Sequence, residues 1–208
     1  MPAKPPTAAL APLPVITPVS ASPAARTADA TKLSPSPTPP VPPPPPPPVV
    51  VKESVLGNLY TNQTYGFSMY RPPDWEIMAD SRSAMPQAIA ALGNSDHSSL
   101  LVIGRDTDGG SPDARAASTD RKLREIYGDY HPLPSRQITV AGLPAIEQRF
   151  TGNADGHDWS VIAVTLTRGE EVFTILGMTY EESDLIQFQE NVISKVVGSM
   201  QFAVTPQN

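Results

Sequence analysis

The sequence predicts an α+β domain behind a long arm without a core of its own, and three observations carry that prediction. Strand patterns follow one another in runs with only two substantial helical patterns, near 111–127 and 179–198, an order that suits α+β and not a doubly wound α/β sheet. The stretch Trp159–Met178 is a hairpin pattern whose strands are apolar on both faces. Eighteen of the 26 prolines fall within residues 1–50, a segment with no aromatic residue.

The hairpin is the strongest signal. Ile162, Val164 and Leu166 alternate with Trp159, Val161 and Ala163, and Val172, Leu176 and Met178 alternate with Phe173 and Ile175. A sheet half in water shows one apolar face, so these strands call for layers above and below. Arg168-Gly169-Glu170 supplies the turn. Thr179 and Glu182 have the spacing of a capping box. Leu185, Phe188, Val192 and Val196 then recur at helical spacing with Ile186, Ile193 and Val197, and Gly198 suits the position after the helix end.

Earlier elements follow the same logic. Leu56–Tyr60 and Tyr65–Tyr70 read as two short strands, and Arg71-Pro72-Pro73-Asp74 must leave the sheet because prolines cannot donate to a ladder. Trp75 plugs the core end and Glu76–Met78 continues as a strand. Gln87–Leu92 and Leu100–Ile103 form a second hairpin. Ser111-Pro112-Asp113 combines a cap, a proline at the first helical position and an acid at the positive dipole end. That helix carries Ala116, Leu123, Ile126 and Tyr127 on one face, is weakened by Gly128 and ends at His131-Pro-Leu-Pro134. Gln137–Val140 and Ala145–Thr151 are strands around the Ala141–Pro144 turn.

Composition divides the chain into a proline- and alanine-rich tether, 1–50, and one globular domain, 51–208. The tether cannot bury enough apolar area to offset its chain entropy, which predicts disorder. Its unbroken run Pro42–Pro48 predicts a polyproline II rod of roughly 20 Å, read as a spacer, with docking into an SH3- or WW-type aromatic groove as the other reading. Residues 1–50 hold Lys4, Arg26, Lys32 and Asp29, a net of +2, so the overall −6 leaves −8 for residues 51–208. That charge, with no basic stripe, disfavours nucleic acid and anionic membrane as partners. The chain has no cysteine, which removes disulfides, thiolate zinc sites, cysteine nucleophiles and a lipidated cysteine together. Ala8–Ile16 is a faint, proline-interrupted signal-like core behind Lys4, and the compartment is left open, with an extracytoplasmic one favoured.

Several motifs resemble the PsbP-like superfamily. Tyr65-Gly-Phe-Ser-Met-Tyr-Arg-Pro-Pro-Asp-Trp75 is similar to its aromatic-Gly-Phe…Pro-x-x-Trp opening, Val140-Ala-Gly-Leu-Pro-Ala145 to its mid-sheet turn, and Glu171–Gly177 with Ser199-Met-Gln-Phe202 to its closing signature. The resemblance spans about residues 55–203 and implies a central antiparallel sheet flanked by helices on both faces, an α/β/α sandwich. Members include an extrinsic photosystem II subunit, a Ran-binding nuclear transport factor and bacterial envelope proteins, and as a group they look like non-enzymatic binding or assembly modules. The expectation is therefore a module on a proline-rich tether that takes a protein partner, in the cell envelope, with no cofactor, catalytic residue or metal ligand assigned.

The alternative is a metal-dependent hydrolase built on Asp155, His157 and Asp158, which needs His97 or Asp106 in the same pocket. Gly152–Gly156 also reads as an ordinary hairpin turn, and Asp96-His97 as a solvated loop. Asp106-Thr-Asp108-Gly109 begins like a calcium loop but lacks the closing glutamate. Ser68 and Ser95 lack the second glycine of a nucleophile elbow. Asp108-Gly-Gly-Ser111 before a helix offers N–H groups to an anion, against Asp113 and the acidic charge.

Overall fold

Tight turns decide where the strands begin and end in this computed structural model, which describes residues 49–83, 87–181 and 184–203. The chain divides into units 1–46 and 47–208. The signal-like stretch, the Pro42–Pro48 run and Glu182 lie outside the described residues.

Strands β1 (Glu53–Leu56), β2 (Leu59–Asn62), β3 (Phe67–Tyr70) and the C-terminal β12 (Gln201–Phe202) make a small sheet in the order β1-β2-β3-β12. The expected single strand Leu56–Tyr60 is two strands, because the chain reverses at Gly57-Asn58 and pairs Leu56 with Leu59. A larger antiparallel sheet runs β4-β5-β6-β11-β10-β9-β7, with β8 also on β9. Its strands are β4 (Trp75–Ile77), β5 (Ala88–Asn94), β6 (Ser99–Asp106), β7 (Gly128–Pro132), β8 (Arg136–Val140), β9 (Leu143–Ala154), β10 (His157–Arg168) and β11 (Glu171–Tyr180). A short α1 (Ala79–Ser83) follows β4. Helix α2 (Pro112–Ile126) begins as expected, with the Ser111 hydroxyl accepting from the Ala114 N–H. It ends one residue before Tyr127, and Gly128–Pro132 is strand, so the expected helical run past Gly128 is corrected.

In the long β10–β11 hairpin Trp159 lies opposite Tyr180 and Arg168 opposite Glu171, so the turn is Gly169-Glu170 and Arg168, expected in it, ends β10. Both sets of alternating side chains are buried, apart from the partly buried Trp159 and Leu176. Ile162, Val164, Leu166, Phe173 and Ile175 join Trp75, Leu92 and Leu101, with Ile193, Val196 and Val197 of α3 (Ile186–Gly198). Val161, Ala163 and Met178 join Phe150 and, from α2, Leu123. Helix α3 crosses β11 at Gly177, where a Cβ would lie 2.2 Å from Ile193 Cγ2. Only a hydrogen at that position lets the helix sit so close to the strand.

Three expectations about the chain end are overturned. Thr179 is not a cap: it belongs to β11, is fully buried, and donates to Gln189 Oε1 at 2.7 Å. The helix starts later, after Leu185, with no side-chain cap. Gly198 is the last helical residue, and Ser199 closes the helix, its hydroxyl donating to the Val196 carbonyl at 2.6 Å. The buried face is Ile193, Val196 and Val197, while Leu185, just before the helix, and Phe188 are 60% and 66% exposed.

Candidate functional site

Strand register gathers several loops at one end of the large sheet. Trp75 pairs with Asn94, Ser99 with Thr179, and Trp159 with Tyr180, while the Glu181 N–H donates to the Asp158 carbonyl at 2.8 Å. Asp74, Asp96, Asp155, Asp158 and Glu181 therefore share this rim, and none enters an ion pair among the described residues. Asp96 accepts from the Ser98 N–H at 3.0 Å, which holds its carboxyl below the usual range. The nearby Arg71 guanidinium is spent on backbone carbonyls, donating to those of Gly57, Pro73 and Trp75.

A groove of about 340 Å³ opens beside this rim. Tyr70, Pro72 and Trp75 form one wall, Phe188 and Val192 of α3 the other, with Asp74 at the rim and Lys195 further along the helix. Lys195 Nζ lies 4.5 Å from the centre of the Tyr70 ring, a cation–π contact. Gln189 on the floor is satisfied, accepting from Thr179 and donating to Ser98 Oγ at 3.3 Å.

The hydrolase reading does not assemble. Asp155 and Gly156, at φ 54° and 79°, are the two central residues of a β9–β10 hairpin turn of the type that favours Asp-Gly. The predicted turn thus holds, although Gly152 and Asn153 belong to β9. The His157 ring stacks on Tyr180 at 4.7 Å, which also meets Trp159 at 4.4 Å, and Asp158 accepts from Asn153 Nδ2 at 3.0 Å. His97 sits at the β5–β6 turn, two strands from His157 across β11, which is about 10 Å at ordinary strand spacing. Asp106 is at the far end of β6, opposite Val172 and seven residues from Ser99, about 24 Å away. No group of three or more His, Asp or Glu able to hold a metal ion occurs among the described residues.

Asp106 and Ser68 take structural places. Asp106 accepts from the Asp108 N–H at 3.0 Å and meets Arg115 at 3.4 Å, and the turn N–H together with the guanidinium keeps its carboxyl low. Ser68 lies inside β3, as expected.

The polar cluster that the sequence did not announce is Glu147, 5% exposed, which accepts from Arg136 at 2.9 Å and Arg149 at 2.8 Å. Burial pushes its carboxyl up, but the two guanidinium hydrogen bonds and charges outweigh that and hold it below its ordinary value. Arg149 continues to Glu190, which accepts from Ser160 Oγ at 2.5 Å. These groups satisfy one another, which suits a packing role between β9, β10 and α3.

No protein-family model and no curated protein sequence matches the chain. Among solved structures the fold is similar to that of cyanobacterial PsbP from Synechocystis sp. PCC 6803, with a TM-score of 0.53 and 13% identity over 71% of this chain and 94% of that one. Two others are LpqN, involved in cell envelope biogenesis of Mycobacterium tuberculosis (TM-score 0.46, 12% identity, 74% and 91%), and the Saccharomyces cerevisiae Ran-binding protein Mog1p (0.48, 10%, 74% and 95%). The chain is thus an antiparallel α+β domain. Its fold is PsbP-like, as the motifs at 65–75, 140–145 and 171–177 implied.

Proposed function

We propose that residues 51–208 form one PsbP-like domain with helices on both faces of its sheet, and that it is a non-enzymatic binding or assembly module carried on a disordered proline-rich tether. Its partner is a protein, taken at the sheet end that gathers Asp74, Asp96, Asp158 and Glu181, and its setting is the bacterial cell envelope. One observation carries the reading: loops from distant parts of the chain meet at this end without converging on a reacting atom, yet their carboxylates enter no ion pair among the described residues and Phe188 is 66% exposed beside a groove. The burial of Leu123 and Ile193 in different clusters supports helices on both faces. The arm supports presentation at a distance, since a proline-rich chain is a semi-rigid spacer.

Affinity capture from native extract with the full chain as bait tests this. The expected result is a partner retained by the wild-type chain and released by Asp96→Lys/Asp158→Lys. Turnover of ester or phosphoester substrates that disappears in His157→Ala would overturn it.

A further inference from the structure

We infer that the groove between α3 and the Tyr70–Trp75 loop docks a partner segment carrying one large apolar side chain with Lys or Arg beside it, an inference that rests on the binding-module reading above. Phe188, Val192 and Lys195 lie at i, i+4 and i+7 on α3, a strip turned about one residue away from the buried Ile193–Val196–Val197 face. A phenylalanine two-thirds exposed on the wall of an apolar groove is the kind of anchor that dominates interface energies. The opposite wall is built rigidly. The Tyr70 N–H donates to Ser199 Oγ at 2.8 Å, and Arg71 ties the loop through the carbonyls of Gly57, Pro73 and Trp75. Gln189 in the lining is held in place, its carbonyl accepting from Thr179 and its amide donating to Ser98 Oγ.

Charge decides the occupant. Asp74 lines the groove near the β5–β6 turn that carries Asp96, while Lys195, its charge intact, lies over the Tyr70 ring about two turns of α3 beyond Phe188. A second copy seated here through a two-fold interface would set the same carboxylates face to face. Nucleic acid and anionic lipid carry the wrong sign for residues 51–208 at −8. A basic protein segment matches both features, its apolar side chain against Phe188 and its cation toward Asp74.

The test is selection of a phage-displayed random dodecapeptide library on the immobilised full chain at low salt, followed by affinity measurement on the enriched peptides. Enriched peptides are expected to pair Lys or Arg with Phe, Leu or Trp, and to lose on the order of tenfold in affinity when salt is raised from about 0.05 to 0.5 M. Phe188→Asp is expected to weaken them at least tenfold without lowering Tm, and Asp74→Asn/Asp96→Asn to flatten the salt dependence. If no peptide enriches, the binding-module reading falls together with this inference. Enriched peptides that are acidic or uncharged, or that bind Phe188→Asp as well as wild type, overturn the groove and its partner chemistry while leaving that reading standing. A dimer in sedimentation that Phe188→Asp dissociates makes a second copy the occupant, and also overturns it.

Discussion

The two ends of the large sheet are built from similar hairpin turns and handle charge in opposite ways. At the end that holds the Gly169-Glu170 turn, Arg105 and Arg168 converge on Glu171 at 2.6 Å each, and Arg115 meets Asp106. The same guanidinium of Arg168 lies over the rings of Phe173 and Phe202, and that of Arg105 over Tyr65, so these pairs also cap the core. At the other end Asp74, Asp96, Asp155, Asp158 and Glu181 have no cationic side chain in an ion pair among the described residues. Carboxylates without an ion pair add little to stability, and this is the end proposed above as the binding surface. One end closes the scaffold; the other presents a surface.

Variants can break that division, and the scaffold is where the largest effects belong. Gly177→Ala places a methyl 2.2 Å from Ile193 Cγ2, on a β-branched side chain stiff at χ1, so the strand and helix must separate. Overpacking of this kind costs roughly 1–3 kcal/mol. Chemical denaturation of Gly177→Ala should show that loss, and adding Ile193→Ala should recover part of the clash while opening a cavity of its own. Glu147→Gln removes the charge shared by two arginines in a site 5% exposed to solvent. It is expected to cost about 2 kcal/mol in the same measurement.

Acid should expose the same pairs collectively. Glu147 and Glu171 are both held below their ordinary 4.5 in the fold; for each, burial acts upward and arginine hydrogen bonds and charges outweigh it. Their contribution is complete above 4.5, the unfolded value, and fades as pH falls from there through the lowered folded values. A urea titration series should therefore show stability falling below that point, with a shallower fall in Glu147→Gln. The smallest effects belong to the rim. His157→Ala, an exposed ring at a hairpin end, should stay within about 0.5 kcal/mol of wild type, and a larger loss would move that rim into the scaffold.

Much of the fold was legible because periodicity reports burial directly. The alternation in 159–178 set the hairpin's two buried faces, and Ser111-Pro112 marked the start of α2. The misreadings came from local signals that tertiary packing overrode. Thr179 sits three residues before a glutamate, but β11 extends through it and its hydroxyl is taken by Gln189. Gly57-Asn58 was a turn signal inside what read as one strand. The candidate site was the least legible part. Two apolar strips on α3 differ by about one residue, and nothing in their composition tells which one a sheet will cover; Phe188 was assigned to the buried one. The acidic rim is scattered over residues 74–181, and only strand register brings it together. Gly177, quoted as part of a family signature, has its reason in the third dimension: it is where α3 touches β11.

The central claim is that the acidic rim is kept unpaired for recognition and not for stability. Thermal unfolding of Asp74→Asn/Asp155→Asn/Glu181→Gln, which leaves the hydrogen-bonded Asp96 and Asp158 in place, tests it most directly at low ionic strength. If the rim is a self-repelling surface, neutralising it leaves Tm unchanged or raises it, and the gain shrinks as salt is added. A fall in Tm of several degrees that salt does not alter would show these carboxylates holding the fold together, and would contradict the account.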